Sequence, residues 1–366
     1  LAPGSSEGAG TGAGGAAGSP AAVSRAAALV RPDIQAMSSY HVPDAGGLVK
    51  LDAMENPYGL PPELKAELGR RLAEVAVNRY PVPAYAALKA AIRDRFGVPD
   101  TAGLVLGNGS DELITMLATM LAAPDAAVLA PVPSFVMYRM TAQFLRMPFI
   151  GVPLGPSFAL DRPAMLEAIG RHRPALVFIA YPNNPTGNCF DDADVAAVIA
   201  AAPGLVVIDE AYEPFAEANW MQRLARHPNL AVLRTLSKWG LAGARLGFLA
   251  AGADWAGQLE KVRPPYNVGV LNEAVVRFAL DHSDVFAGQA AAIRAEREAL
   301  RTALNGLIGP DGLSDVFASR ANFVLVRVAG AAGRSLRIAE RIRDSGVLIK
   351  DVSRMDPSLD QCLRLT

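Results

Sequence analysis

From Pro61 onward, two hydrophobic periods alternate along the chain. Short apolar runs recur at Leu104–Leu106, Val128–Ala130, Phe149–Val152, Ala175–Ala180, Leu205–Ile208, Ala231–Leu233 and Leu246–Ala250. Most are separated by stretches long enough for a helix, the pattern of an α/β fold whose sheet is covered on both faces. Pro61, Pro62 and Glu63 open a helical stretch that reaches about Val75. Helical periodicity dominates again from Asp284 to Leu307. Shorter strand candidates follow at Asn322–Val328, Val347–Ile349 and Cys362–Leu365, predicting a smaller α+β unit. No internal repeat is visible. The expected organisation is a flexible tail (1–28), an N-terminal arm (29–57), a large domain (58–280) and a small domain (281–366). Ligands of open α/β sheets sit beyond the carboxyl ends of the strands, so polar residues just past those ends are where chemistry is expected.

Composition narrows the class. At about 150 residues per domain, 366 residues favour two domains. The chain is 51% hydrophobic and 19% charged, enough apolar surface for a large core. A formal charge of -1 gives no basic excess for binding nucleic acid. Cys189 and Cys362 lie far apart with no CxxC, which disfavours a disulfide framework or a structural zinc site and suits a reducing compartment. The longest apolar stretch, Val195 to Ile208, is too short to span a bilayer and contains Pro203 and Gly204. The chain therefore reads as a soluble, cytoplasmic globular protein. Leu1 to about Ala28 is Gly, Ala, Ser and Pro, too poor in large apolar groups to offset its ordering entropy, with no signal-peptide pattern. Gly10, Gly12 and Gly15 formally spell GxGxxG, but no strand precedes them and no helix follows. The chain begins without Met and stops at Thr366 after an apolar run, which reads as a fragment or an incomplete reading frame.

Four motifs fall at strand ends. Gly107-Asn108-Gly109-Ser110-Asp111-Glu112 precedes the helical Leu113–Leu121 stretch. Small residues there let a ligand approach the backbone, and the opening N–H groups suit phosphate. Taken alone, it reads equally as an ordinary cap by Ser110 or Asp111. Tyr181-Pro182-Asn183-Asn184-Pro185-Thr186-Gly187 follows the Ala175–Ala180 run. Two Asn between two Pro form a restricted turn able to hold one amide in a fixed direction. Leu205-Val206-Val207-Ile208-Asp209-Glu210-Ala211-Tyr212 resembles the metal-binding strand of an ATPase, but the partner phosphate loop needs a Gly-Lys pair, and the chain has none. What remains is a carboxylate, Asp209, at the end of a buried strand with the Tyr212 phenol three residues on. Last, Arg234-Thr235-Leu236-Ser237-Lys238-Trp239-Gly240 leads into Gly243-Ala244-Arg245. Of the six lysines, Lys65, Lys89 and Lys261 lie in helical contexts and read as solvated. Lys238 follows a strand among small residues and near Arg245. A desolvated lysine beside cations loses basicity and becomes nucleophilic toward carbonyls. A phosphate cradle, an aimed amide, a buried carboxylate, a phenol, a nucleophilic lysine and an arginine together suit pyridoxal phosphate.

NNPTG, IDEAY and SKWGLAGARLGF, in that order, resemble the fold type I pyridoxal-phosphate aminotransferases. The nearer resemblance is to the histidinol-phosphate aminotransferase family. It is carried by Lys50–Tyr58 (KLDAMENPY), Asn78–Pro81, Gly109–Glu112, Leu233–Lys238 and Cys362–Leu365, and covers about Leu29 to Thr366. The resemblance implies a large domain with a mostly parallel seven-stranded sheet, a smaller α+β domain, and a continuation past Thr366 into a glycine turn and a last helix. It implies that Lys238 links covalently to the coenzyme and then serves as general base, while Asp209 keeps the pyridine nitrogen protonated. Tyr212 and Asn184 would bond the ring 3-oxygen, Phe135 would stack on the ring, and Ser237, Arg245 and the backbone at Ser110 and Asp111 would hold the phosphate. Phe135 matches a position that is often Tyr, so it keeps the stacking and lacks the hydroxyl. Asn56 and Tyr58 would act near the partner subunit of an obligate homodimer. Arg364, Tyr40 and Lys350 would bind the substrate phosphate, with Lys350 standing where relatives can have Arg and offering no bidentate fork. Arg364 would also take the carboxylate of glutamate and 2-oxoglutarate. No metal is implied. The reaction implied is transamination of L-histidinol phosphate with 2-oxoglutarate, giving imidazole acetol phosphate and L-glutamate. The alternatives are an aromatic or other amino-acid aminotransferase, or a threonine-phosphate decarboxylase. A coenzyme-sensing transcription factor would need an upstream DNA-binding module, which a short Gly/Ala tail cannot supply.

Overall fold

The structure, a computed structural model, describes residues 25–39 and 43–366, and the chain divides into two units, Leu1–Pro43 and Asp44–Thr366. The formal GxGxxG, most of the expected tail and Tyr40 lie outside the described residues. The tail boundary needs one correction: Arg25–Leu29, sequence RAAAL, is helical, as three consecutive alanines favour. A second short helix, Pro32–Gln35, follows with proline at its first position.

In the second unit, all seven expected apolar runs are strands of one sheet. They are β1 (Ala102–Gly107), β2 (Val128–Val132), β3 (Phe149–Pro153), β4 (Leu176–Ala180), β5 (Leu205–Asp209), β6 (Leu230–Thr235) and β7 (Gly247–Gly252), in the order β1-β7-β6-β5-β4-β2-β3. Only β7 runs against the others, pairing antiparallel with β1 and β6. Every residue of β4 and β5 is buried, which is why those runs are continuously apolar instead of alternating. Parity then sorts them. Val177, Ile179, Val206 and Ile208 enter one core, and Leu176, Phe178, Leu205 and Val207 the other, on the opposite face. Each such side chain contributes roughly 1.5–3 kcal/mol of burial.

The C-terminal part holds a four-stranded antiparallel sheet of β8 (Leu313–Val316), β9 (Val324–Val328), β10 (Lys350–Asp351) and β11 (Cys362–Leu365), in the order β10-β11-β9-β8. The long helix Ser283–Asn305 precedes it, close to the expected Asp284–Leu307 span. The expected strand at Val347–Ile349 is Val347–Leu348, and it pairs with Val49–Lys50, a two-residue strand too short to announce itself by period. Through that pairing and through β11, the C-terminal sheet carries its residues to the segment after Lys50.

Candidate active site

Because six strands of the large sheet run one way, their carboxyl ends converge on one edge, and there a cavity of about 390 Å³ opens. It is lined by Ser110, Asp111, Phe135, Asn184, Asp209, Tyr212, Ser237, Lys238 and Arg245, nine of the residues expected from sequence, together with Ala53, Glu55, Tyr138 and Thr235.

The floor is set by β5. Asp209 is 4% exposed, with Oδ2 accepting from the Tyr138 hydroxyl at 2.7 Å and Oδ1 from the Ala211 N–H at 3.1 Å. Burial pushes its pKa up to about 6; the two donors partly offset that. Glu210, the next residue, faces the opposite core by strand parity. Its carboxylate accepts from Arg234 Nε at 2.9 Å and from the Trp220 N–H, and burial lifts it to about 7. The acidic pair of the motif thus divides into a site residue and a buried structural ion pair.

Lys238 follows β6. Its ammonium donates to the Ala53 carbonyl at 2.7 Å, and burial, reinforced by the Arg364 charge, lowers its pKa to about 8. At neutral pH it keeps an accessible neutral fraction, as a nucleophilic or basic lysine needs.

At one end lies an anion cradle. Neither Ser110 nor Asp111 caps the helix Ser110–Leu121; its N-cap is Gly109, with no side-chain cap bond. Glu112 instead reaches back to the Asn108 N–H at 2.7 Å and is itself held by Asn267 at 2.6 Å. The first N–H groups of the helix are thereby left for a ligand. Gly109 has φ +84, and a Cβ there would lie 2.6 Å from Arg245 Nη2. A Cβ on Gly247 would meet the Ser110 nitrogen at 2.8 Å. Ser237 Oγ accepts from Thr235 Oγ1 at 3.0 Å and from Arg245 Nη1 at 3.5 Å. Two positions stripped to glycine, a helix N-terminus, two hydroxyls and an arginine fit a phosphate. With Asp209 and Lys238, the donor set fits a phosphorylated pyridine aldehyde.

On the NNPTG turn the two asparagines part company. Asn183 is wholly buried and structural, donating to the Pro133 carbonyl at 3.0 Å and to Thr186 Oγ1 at 2.7 Å. Asn184 lines the cavity, and its Oδ1 accepts from Arg364 Nη1 at 2.6 Å, which directs its NH₂ away from the guanidinium. Arg364 Nη2 donates to the Asp52 carbonyl at 2.7 Å. Arg364 is 5% exposed, and its guanidinium lies over the Phe323 ring. Lys350 is its direct partner in the antiparallel register, so both side chains share one face. Neither Arg364 nor Lys350 is among the residues lining the cavity; Arg364 reaches it through Asn184, which does line it.

Asn56 and Tyr58 border a neighbouring cavity of about 500 Å³ instead. Asn56 donates to Gln289 Oε1 at 2.9 Å and accepts from the Tyr58 N–H at 2.9 Å; Tyr58 is exposed. Within one chain they are not brought to the Lys238 cavity. Sequence reasoning missed Tyr138 and Thr235 as members of the site. The signal for Tyr138 was its spacing, three residues after Phe135 on a helix. For Thr235 it was a hydroxyl at the last position of β6.

The sheet with its lysine, carboxylate and phosphate cradle at the carboxyl edge defines a fold type I pyridoxal-phosphate transferase. Residues 47–366 match the aminotransferase class I and II family, and the chain belongs to it, among the histidinol-phosphate aminotransferases. It is 55% identical over 343 residues to histidinol-phosphate aminotransferase 1 of Ralstonia nicotianae, covering 92% of this chain and 90% of that one. Identity to the histidinol-phosphate aminotransferase of Chromobacterium violaceum is 53% over 338 residues, covering 92% and 93%. The fold is that of the Sinorhizobium meliloti histidinol-phosphate aminotransferase crystallised with pyridoxal-5'-phosphate, with a TM-score of 0.80 over 92% of both chains at 24% identity.

Proposed function

We propose that the chain transfers the amino group of L-histidinol phosphate to 2-oxoglutarate, with pyridoxal phosphate as coenzyme, in histidine biosynthesis. The observation that carries this is Arg364. It is a buried cation hydrogen-bonded to Asn184, and Asn184 lines the cavity that holds Lys238 and Asp209.

Bound pyridoxal phosphate supplies an aldehyde that condenses with amines and a ring that accepts the electron pair released at the substrate Cα. The residues of the chain do the rest. Lys238 Nζ, neutral in part at working pH, takes the Cα proton and returns it. Asp209, ionised above about pH 6, holds a proton on the ring nitrogen. Asn184 Nδ2 and the Tyr212 hydroxyl would hold the ring 3-oxygen, and Phe135 would pack against the ring. Ser110 N–H, Ser237 and Arg245 hold the coenzyme phosphate. Arg364 would meet the phosphate of histidinol phosphate and, in the second half-reaction, the carboxylate of glutamate, with Lys350, its partner in register, as a further phosphate contact. A charge-assisted contact of that kind is worth roughly 1.5–3 kcal/mol.

The reading extends to a cytoplasmic homodimer in which Asn56 and Tyr58 serve the partner's site. In support, Tyr58, Val77, Tyr80, Val82, Tyr266 and Leu271 are exposed, and Tyr80 stacks on Tyr266 at 4.5 Å, a surface suited to cover by a second copy. Both thiols are free, as a reducing compartment allows. Among the described residues, no helix is long and apolar enough to cross a membrane.

The test is a substrate panel on the coenzyme-loaded protein. Histidinol phosphate should give the highest kcat/KM, above aromatic amino acids, with no CO₂ from threonine phosphate. A preference for a plain amino acid, or decarboxylation, would contradict it. Sedimentation should give twice the chain mass.

A further inference from the structure

Tyr138 is 1% exposed, on the helix Val136–Phe144. Its ring stacks parallel on Phe178 of β4, with centroids 4.4 Å apart and planes 1° apart, and meets Phe135 edge-on at 5.6 Å. A Phe would fill that slot equally well. The hydroxyl is what the packing does not require, and a buried hydroxyl needs a partner. Here the partner is no backbone carbonyl. It is Asp209 Oδ2, at 2.7 Å. The placement follows from parity. Phe178 stands two residues before Ala180, Ala180 pairs with Asp209 in register, and so the ring of Tyr138 and the Asp209 carboxylate lie on the same face of the sheet.

We propose that Tyr138 is a positioning residue for the coenzyme. Its hydroxyl keeps Asp209 ionised and turns the carboxylate so that its remaining lone pairs face the ring nitrogen. The inference rests on the coenzyme reading above and adds a residue to which neither the sequence motifs nor that reading gave a role. Each Asp209 oxygen has one donor, Tyr138 on Oδ2 and the Ala211 N–H on Oδ1. Asp111, on the Ser110 helix, opposes ionisation of Asp209 through its charge, and Tyr212 and Lys238 share the cavity wall. Burial beside Asp209 drives the phenol well above its ordinary pKa, so Tyr138 remains the donor throughout the working range. Without the hydroxyl, one donor remains against the desolvation, the carboxylate titrates higher, and at neutral pH the ring nitrogen loses part of its anionic partner.

Tyr138→Phe keeps the stack and deletes the bond. In the loaded enzyme, the coenzyme Kd should rise about tenfold at pH 7, the order expected for a hydrogen bond to a charged group. That ratio should shrink as the pH is raised to 9. The pH midpoint of the visible absorbance of the lysine-linked coenzyme should move upward, and kcat should fall for both substrates with KM little changed. A pH-independent Kd ratio with an unmoved midpoint, whatever the thermal stability, would show that Tyr138 only packs. Should Tyr138→Phe not fold, 3-fluorotyrosine at position 138 supplies a stronger donor of nearly the same shape. It must move the midpoint downward, and an unmoved midpoint there also overturns the proposal. If the parent chain takes up the coenzyme but rejects histidinol phosphate, the substrate reading fails, and Tyr138 is still judged on Kd and midpoint alone.

Discussion

Arg364 Nη1 lies 2.6 Å from Asn184 Oδ1, so the guanidinium proposed to bind substrate also fixes the orientation of the amide proposed to hold the coenzyme. On the proposed roles, one residue of the C-terminal sheet would couple substrate binding to the coenzyme's 3-oxygen. Arg364→Ala should raise KM for histidinol phosphate and for glutamate together, each by about 10- to 100-fold. It should also shift the absorbance of the bound coenzyme before any substrate is added, because Asn184 is released. Steady-state kinetics with each substrate and a spectrum of the resting enzyme check this. Loss toward one substrate only would separate the two anion sites.

Gly109 opens the candidate phosphate cradle in a backbone conformation that favours glycine. Its φ of +84 strains any L side chain, and a Cβ would sit 2.6 Å from Arg245 Nη2. Gly109→Ala should weaken coenzyme binding by tenfold or more while leaving the sheet intact. Equilibrium dialysis with pyridoxal phosphate, beside Arg245→Ala for comparison, measures it. The two variants should lose affinity to a similar degree, and inorganic phosphate should compete less well in both.

Much of this was legible in the chain. All seven strands of the large sheet announced themselves, because a doubly covered parallel sheet makes each run apolar throughout. Lys238, Asp209 and Asn184 stood out as polar residues where such runs end. Partnerships set by parity and register were not legible. IDEAY shows two acids side by side, and only the pleat sends Glu210 to Arg234 and leaves Asp209 to the cavity. Tyr138 read as one more aromatic on a helix, because its partner lies 71 residues away. β8, with only Leu313 buried, has too weak a pattern to predict. The pairing of Lys350 with Arg364 was not legible either, because it is made on a strand of two residues that no period reveals.

Asp209 should cost stability in the absence of coenzyme. Its pKa is about 6 in the folded protein against 3.8 for the ordinary group. Between those values the folded protein holds a proton that the unfolded chain has released, so stability falls as pH rises from about 4 to about 6 and stays lowered above that. Glu210, lifted to about 7, adds the same slope in parent and variant alike and cancels in their difference. Asp209→Asn should therefore stabilise the coenzyme-free protein by about 1–3 kcal/mol at pH 7 and by almost nothing near pH 4. Urea unfolding at the two pH values decides it, and the same variant should be nearly inactive when loaded.

The most direct measurement is reduction of the coenzyme-loaded protein with borohydride, followed by proteolysis and peptide mapping. The account predicts a single pyridoxyl label on Lys238, absent in Lys238→Ala, which should also lack visible coenzyme absorption and turnover. Label on another lysine, or undiminished turnover in that variant, would contradict it.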